Sequence, residues 1–302
     1  MSCMLCGEEV LSHRHSFGEY EIRTCQACGL SQLDPLPSTE TTINLYADGY
    51  FAGTGAIGYS DYADQEREYR ATFAEDLRSL SPYLTAGASA LDVGCGFGWF
   101  VHGALAAGYD AIGIDFSREA VERAAQILPG RVFHGAINDV AELRDRRFDL
   151  IFSSHVIEHI PEPHVFMADL VDRLNEGGVI ALVTPNIESA LARISGRRWV
   201  SFKLPEHVSY YSPSTIRRLL ETAGLEVVSV EPAYQYYALP FLMHRIRELI
   251  HPIGKLIPRI ESSALLRNRM VRVTSGSLRV IARRPVSSPG PLFDLDRAEL
   301  AL

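Results

Sequence analysis

The sequence predicts an α/β fold: a doubly wound parallel sheet with an antiparallel strand at its carboxyl-terminal end, preceded by a small cysteine ribbon. Three observations predict it. Short apolar runs alternate with helical stretches between residues 88 and 183, a pattern that sets parallel strands between covering helices. A glycine-rich turn follows the first of those runs, and two Cys-x-x-Cys pairs stand ahead of it. The 302 residues suffice for two domains or for one large α/β domain with additions. At 47% hydrophobic and 22% charged residues the chain has a globular composition, which excludes wholesale disorder. Lys and Arg number 29 against 37 acids, and the formal charge of −8 repels a nucleic-acid backbone, so no nucleic-acid partner is expected. The first ten residues hold no apolar stretch, and nothing later approaches the ~18 apolar residues of a membrane span, so the expected location is cytoplasmic.

The ribbon comes first. Cys3-x-x-Cys6 and Cys25-x-x-Cys28 are each followed by Gly, and 18 residues separate them. A two-residue gap lets both thiolates of a pair reach one ion, and Gly7 and Gly29 permit the turn that aims backbone amides at the sulfurs. Four thiolates close a tetrahedron, so the expected ion is a structural zinc. After a turn at 34–37, Ser38 or Thr39 reads as the cap of a helix, and 46–60 reads as a loop rich in Gly and Tyr. Tyr62, Tyr69, Phe73, Leu77, Leu80 and Leu84 then mark an amphipathic helix that stops between Pro82 and Gly87.

The strands of the main sheet are expected at 90–93, 111–114, 132–133, 150–152 and 179–183. Helices are expected between them at 99–107, 118–128, 138–144 and 163–174, with Asn175 to Gly178 as the stop of the last. A further helix at 214–223 leads into a strand at 225–230, and 277–282 closes the sheet. The expected divisions are 1–34 for the ribbon, 35–87 for a linker and helical region, and 88–284 for the main domain. A helical basic insertion occupies about 235–272, and 285–302 forms a disordered tail.

In Ala90-Leu-Asp-Val-Gly-Cys-Gly-Phe-Gly-Trp-Phe100 a buried strand ends in an acid and passes through Gly94, Gly96 and Gly98 into a helix. Glycine here lets a ligand approach the backbone at the carboxyl edge of the sheet. The spacing is neither the G-x-G-x-x-G of dinucleotide sites nor a Walker loop, which needs Gly-Lys-Ser/Thr. It resembles the first motif of the class I S-adenosylmethionine-dependent methyltransferases, whose Rossmann-like sheet this order of elements also matches. Phe148 to Ile160, Gly177-Gly178 and Thr184-Pro-Asn186 are similar to later motifs of that family. The Cys-x-x-Cys-Gly pairs, the Asp34-Pro-Leu-Pro-Ser segment, the run from Leu45 to Tyr50 and Pro205-Glu-His207 are similar to a bacterial zinc-ribbon subgroup.

The resemblance implies S-adenosylmethionine as cofactor, with Asp92, Gly94, Cys95, Gly96 and Gly98 around its methionine moiety. It implies Asp115 on the ribose hydroxyls, with Phe116 packing on adenine. Two vicinal hydroxyl donors match two carboxylate oxygens, although Asp115 could also cap the helix that follows. His134-Gly-Ala-Ile-Asn-Asp139 departs from the family, which often carries an acid at the third strand, so adenine falls to the backbone around Ala136 and Ile137, or to Asn138 or Asp139. His155, early in the loop after the fourth strand, is expected to touch the cofactor through backbone.

Many members of that subgroup act in sugar, polysaccharide or other secondary-metabolite pathways, and the resemblance implies the same here. The expected reaction is therefore O-methylation of a small hydroxylated acceptor, a sugar or glycoconjugate. Sugar C-methylation and a scaffold that binds S-adenosylmethionine without turning it over are the alternatives. A hydroxyl acceptor needs a base, and His159 is the first candidate, oriented by Glu158, with His207 beside Glu206 as the second. Residues 241–272 carry seven Lys or Arg against two Glu, interleaved with Leu, Ile and Met, so they read as a peripheral contact with anionic lipid at the inner membrane face, or as a lid or dimer contact of the chain itself.

Overall fold

The computed structural model describes residues 1–37, 65–243, 266 and 269–286. The capping signal at Ser38 and Thr39, the 46–60 loop, the Leu45 to Tyr50 run, most of the basic insertion and nearly all of the tail lie outside the described residues.

At the amino terminus β1 (Leu11–Phe17), β2 (Tyr20–Cys25) and β3 (Ser31–Asp34) form an antiparallel meander. The alternation of Ile22 and Leu33 toward one face buries both completely. A fourth strand comes from far along the chain: β9 (Ser209–Tyr210) pairs with β3, Ser31 opposite Tyr210 and Gln32 opposite Ser209.

The main sheet has seven strands: β4 (Ser89–Val93), β5 (Asp110–Asp115), β6 (Val132–His134), β7 (Phe148–Ser154), β8 (Leu174–Pro185), β10 (Glu226–Ala238) and β11 (Met270–Arg283). Their spatial order is β10-β11-β8-β7-β4-β5-β6. β8, β7, β4, β5 and β6 run parallel, whereas β11 is antiparallel to both neighbours. Leu91, Ile112, Leu150, Ile151, Phe152 and Val179 to Leu182 are buried on a sheet covered from both sides, which is why these strands read as continuous apolar runs. The helices are α1 (Glu66–Leu80), α2 (Trp99–Ala106), α3 (Arg118–Ala125), α4 (Pro163–Asp172), α5 (Ala190–Ser195) and α6 (Pro213–Thr222). Phe100 and Phe152 stack at 3.9 Å, with Phe73 of α1 edge-on to both, and this aromatic core fixes α1 and α2 on one face of the sheet.

Three expected elements differ. The stretch 138–144 forms only a single 3-10 turn, Ala141–Leu143, because the chain must return to β7 within a few residues. Asn175 to Gly178 do not separate helix from strand. They form the irregular start of β8, where a side chain at Gly178 would press on the Asn175 and Phe148 carbonyls. The last two strands are far longer than expected and take 235–238 and 270–272 out of the insertion. Charge holds the extension: Arg272 on β11 meets Glu75 of α1 and lies over the Tyr234 ring, while the buried Arg279 reaches Asp76 at 3.0 Å and Glu231 at 3.2 Å. Among the described residues no helix is long and apolar enough to cross a membrane.

Candidate active site

β4 lies between β5 and β7, so the strand order reverses at its carboxyl end and a crevice opens there. A cavity of about 970 Å³ occupies it. One end is lined by Asp92, Gly94, Cys95, Gly96, Asp115, Phe116, Gly135, Ala136 and Ile137. Asp115 closes β5, its Oδ2 accepting the Gly96 amide and its Oδ1 the Ser117 amide, both at 2.8 Å. Each oxygen keeps a further lone pair, so a vicinal diol can still be held. The helix cap is Ser117, whose hydroxyl accepts the Ala120 amide. Burial pushes both Asp92 and Asp115 up, and for Asp92 the neighbouring Asp115 charge adds to it.

Gly94 has φ of +80°, and a Cβ there would run into the Val156 side chain. The Phe116 ring is 53% exposed at the rim. Asn138 and Asp139 are exposed and outside the lining, which leaves the backbone near Ala136 and Ile137 to meet an adenine. Gly98 lies outside the lining, at the start of α2, where a side chain would press on Leu128. These features, a glycine cradle, a carboxylate able to take a diol and an aromatic face, fit a nucleoside carrying an amino-acid tail.

The other end holds the histidines. His159 and His207 both line the cavity, with ring centroids 4.6 Å apart and planes at 89°. The Nδ1 hydrogen bonds of both rings run to backbone carbonyls. Glu158 spends one oxygen on His155 Nδ1 at 3.0 Å, and its other oxygen accepts the Thr184 hydroxyl at 3.0 Å. His159 Nδ1 instead donates to the Glu206 carbonyl at 3.1 Å, and His207 Nδ1 to the Ser201 carbonyl at 2.8 Å. The physical reason is reach: the 3-10 turn Ile157–His159 sends Glu158 inward toward β8 and His159 toward the 201–207 loop. A backbone carbonyl accepts only from N–H, so each Nδ1 carries the proton and each Nε2 the lone pair.

Burial sets the charges. It pushes His159 down to about 4 and His207 well below its ordinary value, so both rings are neutral. Burial alone would raise Glu158, yet the hydrogen bond and charge of His155 draw it below its ordinary value. His155 has φ of +57°, a strained conformation for a side chain of this size, and its amide donates to the Val183 carbonyl. Tyr236, Tyr237, Phe241, Leu242, Leu191, Val200 and Lys203 also line the cavity.

Residues 65–230 match the family described as Methyltransferase domain. The chain belongs to that family. It is an S-adenosylmethionine-dependent methyltransferase with the class I fold. Its curated relatives include the ubiquinone biosynthesis O-methyltransferases of Aromatoleum aromaticum, 28% identical over 51% of this chain and 73% of that protein, and of Maricaulis maris, 30% identical over 51% and 66%. Among solved structures it is similar to a chain of a Haloferax volcanii complex between a methyltransferase activator and a methyltransferase. That likeness has a TM-score of 0.51 and 16% identity over 75% of this chain and 94% of that one. It is also similar to magnesium protoporphyrin IX methyltransferase of Synechocystis PCC 6803 with bound SAH, at 0.51 and 14% over 82% and 100%. At these identities the structural likeness establishes the fold.

The methyltransferase also carries a four-sulfur cluster away from the cavity. Cys3 Sγ lies 3.5 Å from Cys28 Sγ and Cys6 Sγ 3.6 Å from Cys25 Sγ, and all four sulfurs fall within 4.8 Å of one another. A tetrahedron with Zn–S bonds of ~2.3 Å has edges of about 3.8 Å, so the donor set fits that ion. Burial raises Cys25, but amides of Cys28 and Ala27 and the neighbouring thiols bring it down to about 7.

Sequence reasoning missed Lys203, Ser154 and the aromatic wall of β10. The run Tyr234-Gln-Tyr-Tyr237 was a legible strand signal, hidden by its place inside the presumed insertion.

Proposed function

We propose that this methyltransferase transfers a methyl group to a hydroxyl of a small acceptor with an apolar or aromatic body, His159 taking the proton. The observation that carries the reading is the pair of neutral, tautomer-fixed imidazoles in the wall of the same cavity as the glycine motif and Asp115. Asp92, Gly94, Cys95, Gly96, Asp115, Phe116, Ala136 and Ile137 would hold S-adenosylmethionine. When bound, it supplies a methyl on a sulfonium, and the C–S electron pair returns to sulfur.

The protein has then to align the acceptor oxygen in line with that methyl and to remove its proton. Burial keeps His159 in its proton-accepting form at every physiological pH, and the Glu158 carboxylate within 4.8 Å favours the imidazolium as it forms. His207 fixes the face of the His159 ring and is the second candidate. His155, also in the cavity lining, is held by its hydrogen bond to Glu158 and would touch the cofactor. The curated relatives are named O-methyltransferases of ubiquinone biosynthesis, which supports an oxygen on a ring as acceptor. The aromatic and aliphatic side chains of the cavity lining support such a ring over a sugar or glycoconjugate. Sugar C-methylation and a non-catalytic scaffold are the readings against which it stands.

We take residues 1–34 as a ribbon on one structural zinc and 88–284 as the transferase unit. Incubation with S-adenosylmethionine and parallel panels of catechols and sugar nucleotides, read as a mass gain of ~14 on the acceptor, tests the reading. Methylation of a catechol at oxygen supports it, a methylated sugar carbon refutes it, and cofactor binding without product on any acceptor favours the scaffold.

A further inference from the structure

We propose that the ribbon positions the acceptor wall, and that Gln32 on β3 is the positioning residue through which metal in the four-cysteine cluster holds His207 and His159 in place. This rests on the reading of that wall as the acceptor end.

Cys3 and Cys6 sit in the first knuckle, whose turn is closed by the Gly7 amide on the Cys3 carbonyl. Gln32 is completely buried beside it. Its Oε1 accepts the Met4 amide at 2.9 Å, and its Nε2 donates to the Ser2 carbonyl at 3.1 Å. One side chain therefore ties both backbone polarities of the first knuckle to β3. His164 of α4 adds a bond to the Leu5 carbonyl at 2.8 Å.

The backbone of the same Gln32 pairs with Ser209 of β9, and the Leu33 amide donates to the Val208 carbonyl at 2.9 Å. His207 immediately precedes that segment. The Val208 amide donates to the Glu158 carbonyl at 2.9 Å, and the Tyr210 hydroxyl donates to the His207 carbonyl at 2.9 Å. Two residues of the chain, Val208 and Ser209, are thus held on one edge by the ribbon and on the other by the turn that bears His159. Tyr211 continues the bridge, fully buried in the core that also contains Cys3, Leu5, Cys25 and Leu30.

The energetics make the coupling one-sided. The ribbon packs Cys3, Leu5, Cys25 and Leu30 into the shared core, and metal binding adds to the folding free energy that this packing supplies. Loss of the metal should weaken the hold of β3 on β9, a two-residue strand with no sheet of its own. Apart from the packing of Gly94 against Val156, the cofactor end has its own support: Gly94 and Cys95 amides bond the Ile114 carbonyl, and Asp115 takes the Gly96 amide, all within β4, β5 and their turn. Metal loss should loosen 203–211 while leaving that end intact.

The test uses the full chain. Metal content is measured first, then zinc is removed with a chelator under reducing conditions, and hydrogen exchange is followed on peptides covering 203–211 and 89–98. Binding of S-adenosylmethionine is measured in parallel by calorimetry. Zinc loss should raise exchange at 208–211 by about tenfold or more, change cofactor affinity by less than about threefold, and reverse on adding zinc. Gln32→Ala should keep one zinc per chain and still speed exchange at 208–211. It should also shift the imidazole ¹⁵N signals of His159 and His207, with Gln32→Glu intermediate because it keeps an acceptor for Met4. Unchanged exchange at 208–211 after zinc removal, or normal imidazole signals in a zinc-loaded Gln32→Ala protein, overturns the inference. A chain that never binds zinc overturns it at the metal, and cofactor affinity falling as far as wall protection falls overturns it by showing a global fold requirement. Failure of the acceptor reading itself would show separately, as absence of methyl transfer from a zinc-loaded protein with an ordered wall.

Discussion

Replacing His159 by Gln should remove part of the acid sensitivity of this protein. The ring is buried and neutral, pushed down from 6.5 to about 4 by its loss of water. Between those two values the unfolded chain holds more proton than the folded one, so stability rises with pH through that window. The contribution is fully present above pH 6.5 and is lost as pH falls toward 4. A shift of this size corresponds to about 3 kcal/mol in total, of which about 2 kcal/mol is gone by pH 5. Gln can still donate to the Glu206 carbonyl but does not titrate. Urea unfolding of both proteins at pH 7.5 and pH 5 measures the difference: the wild-type protein should lose about 2 kcal/mol more than the variant between the two. His207, lowered by burial in the same sense, leaves the variant with a residual slope of the same sign. Equal slopes in the two proteins would refute the neutral-imidazole argument. The same shift moves the expected acid limb of turnover to near pH 4, below the pH 6 to 8 range that an unperturbed imidazole gives. His159→Ala should cut turnover by ~100-fold or more with cofactor affinity nearly unchanged.

Asp115→Asn should weaken S-adenosylmethionine binding by ~10- to 100-fold in calorimetry, since one of two acceptors for the diol becomes a donor. Arg279→Ala should destabilise the fold by about 3 to 5 kcal/mol in urea, because Asp76, which burial already raises to about 6, loses its buried partner. Cys25→Ser should lower zinc content and expose the amino-terminal region to protease, and full zinc stoichiometry would refute the ligand set.

The sheet was legible in the sequence wherever strands are buried on both faces, as at Leu91 and Ile151, because burial there leaves an unbroken apolar run. β10 and β11 were underestimated for the opposite reason. Their outer halves are only half-buried and are held by Arg272 on Glu75 and by Tyr234 beneath that guanidinium, contacts with α1 some 200 residues away in the chain. The cofactor end was legible because glycine spacing and a strand-terminal acid are local facts. The orientation of the histidines was not. Adjacent carboxylates in Glu158-His159 and Glu206-His207 suggested partners, whereas the Nδ1 bonds run to backbone carbonyls whose approach depends on how two distant loops meet. The β3 to β9 pairing was equally hidden, since a two-residue strand has no period to read.

The contact between Gly94 and Val156 makes the two motifs one device. A side chain at position 94 would displace Val156, and Val156 sits between the strained His155 and the turn that carries Glu158 and His159. Gly94→Ala therefore incurs two penalties: a positive φ of +80° that Ala adopts at ~1 kcal/mol or more, and a steric push on the loop that supports the base. If the glycine served only the cofactor, the variant would lose affinity for S-adenosylmethionine and nothing else. Because it also seats Val156, the variant should in addition shift the imidazole ¹⁵N signals of His155 and His159 in the absence of any ligand. A Gly94→Ser variant should do the same, since its Cβ occupies the same point. Unaltered histidine signals in a folded Gly94→Ala protein would separate the motifs and return the glycine to the cofactor alone.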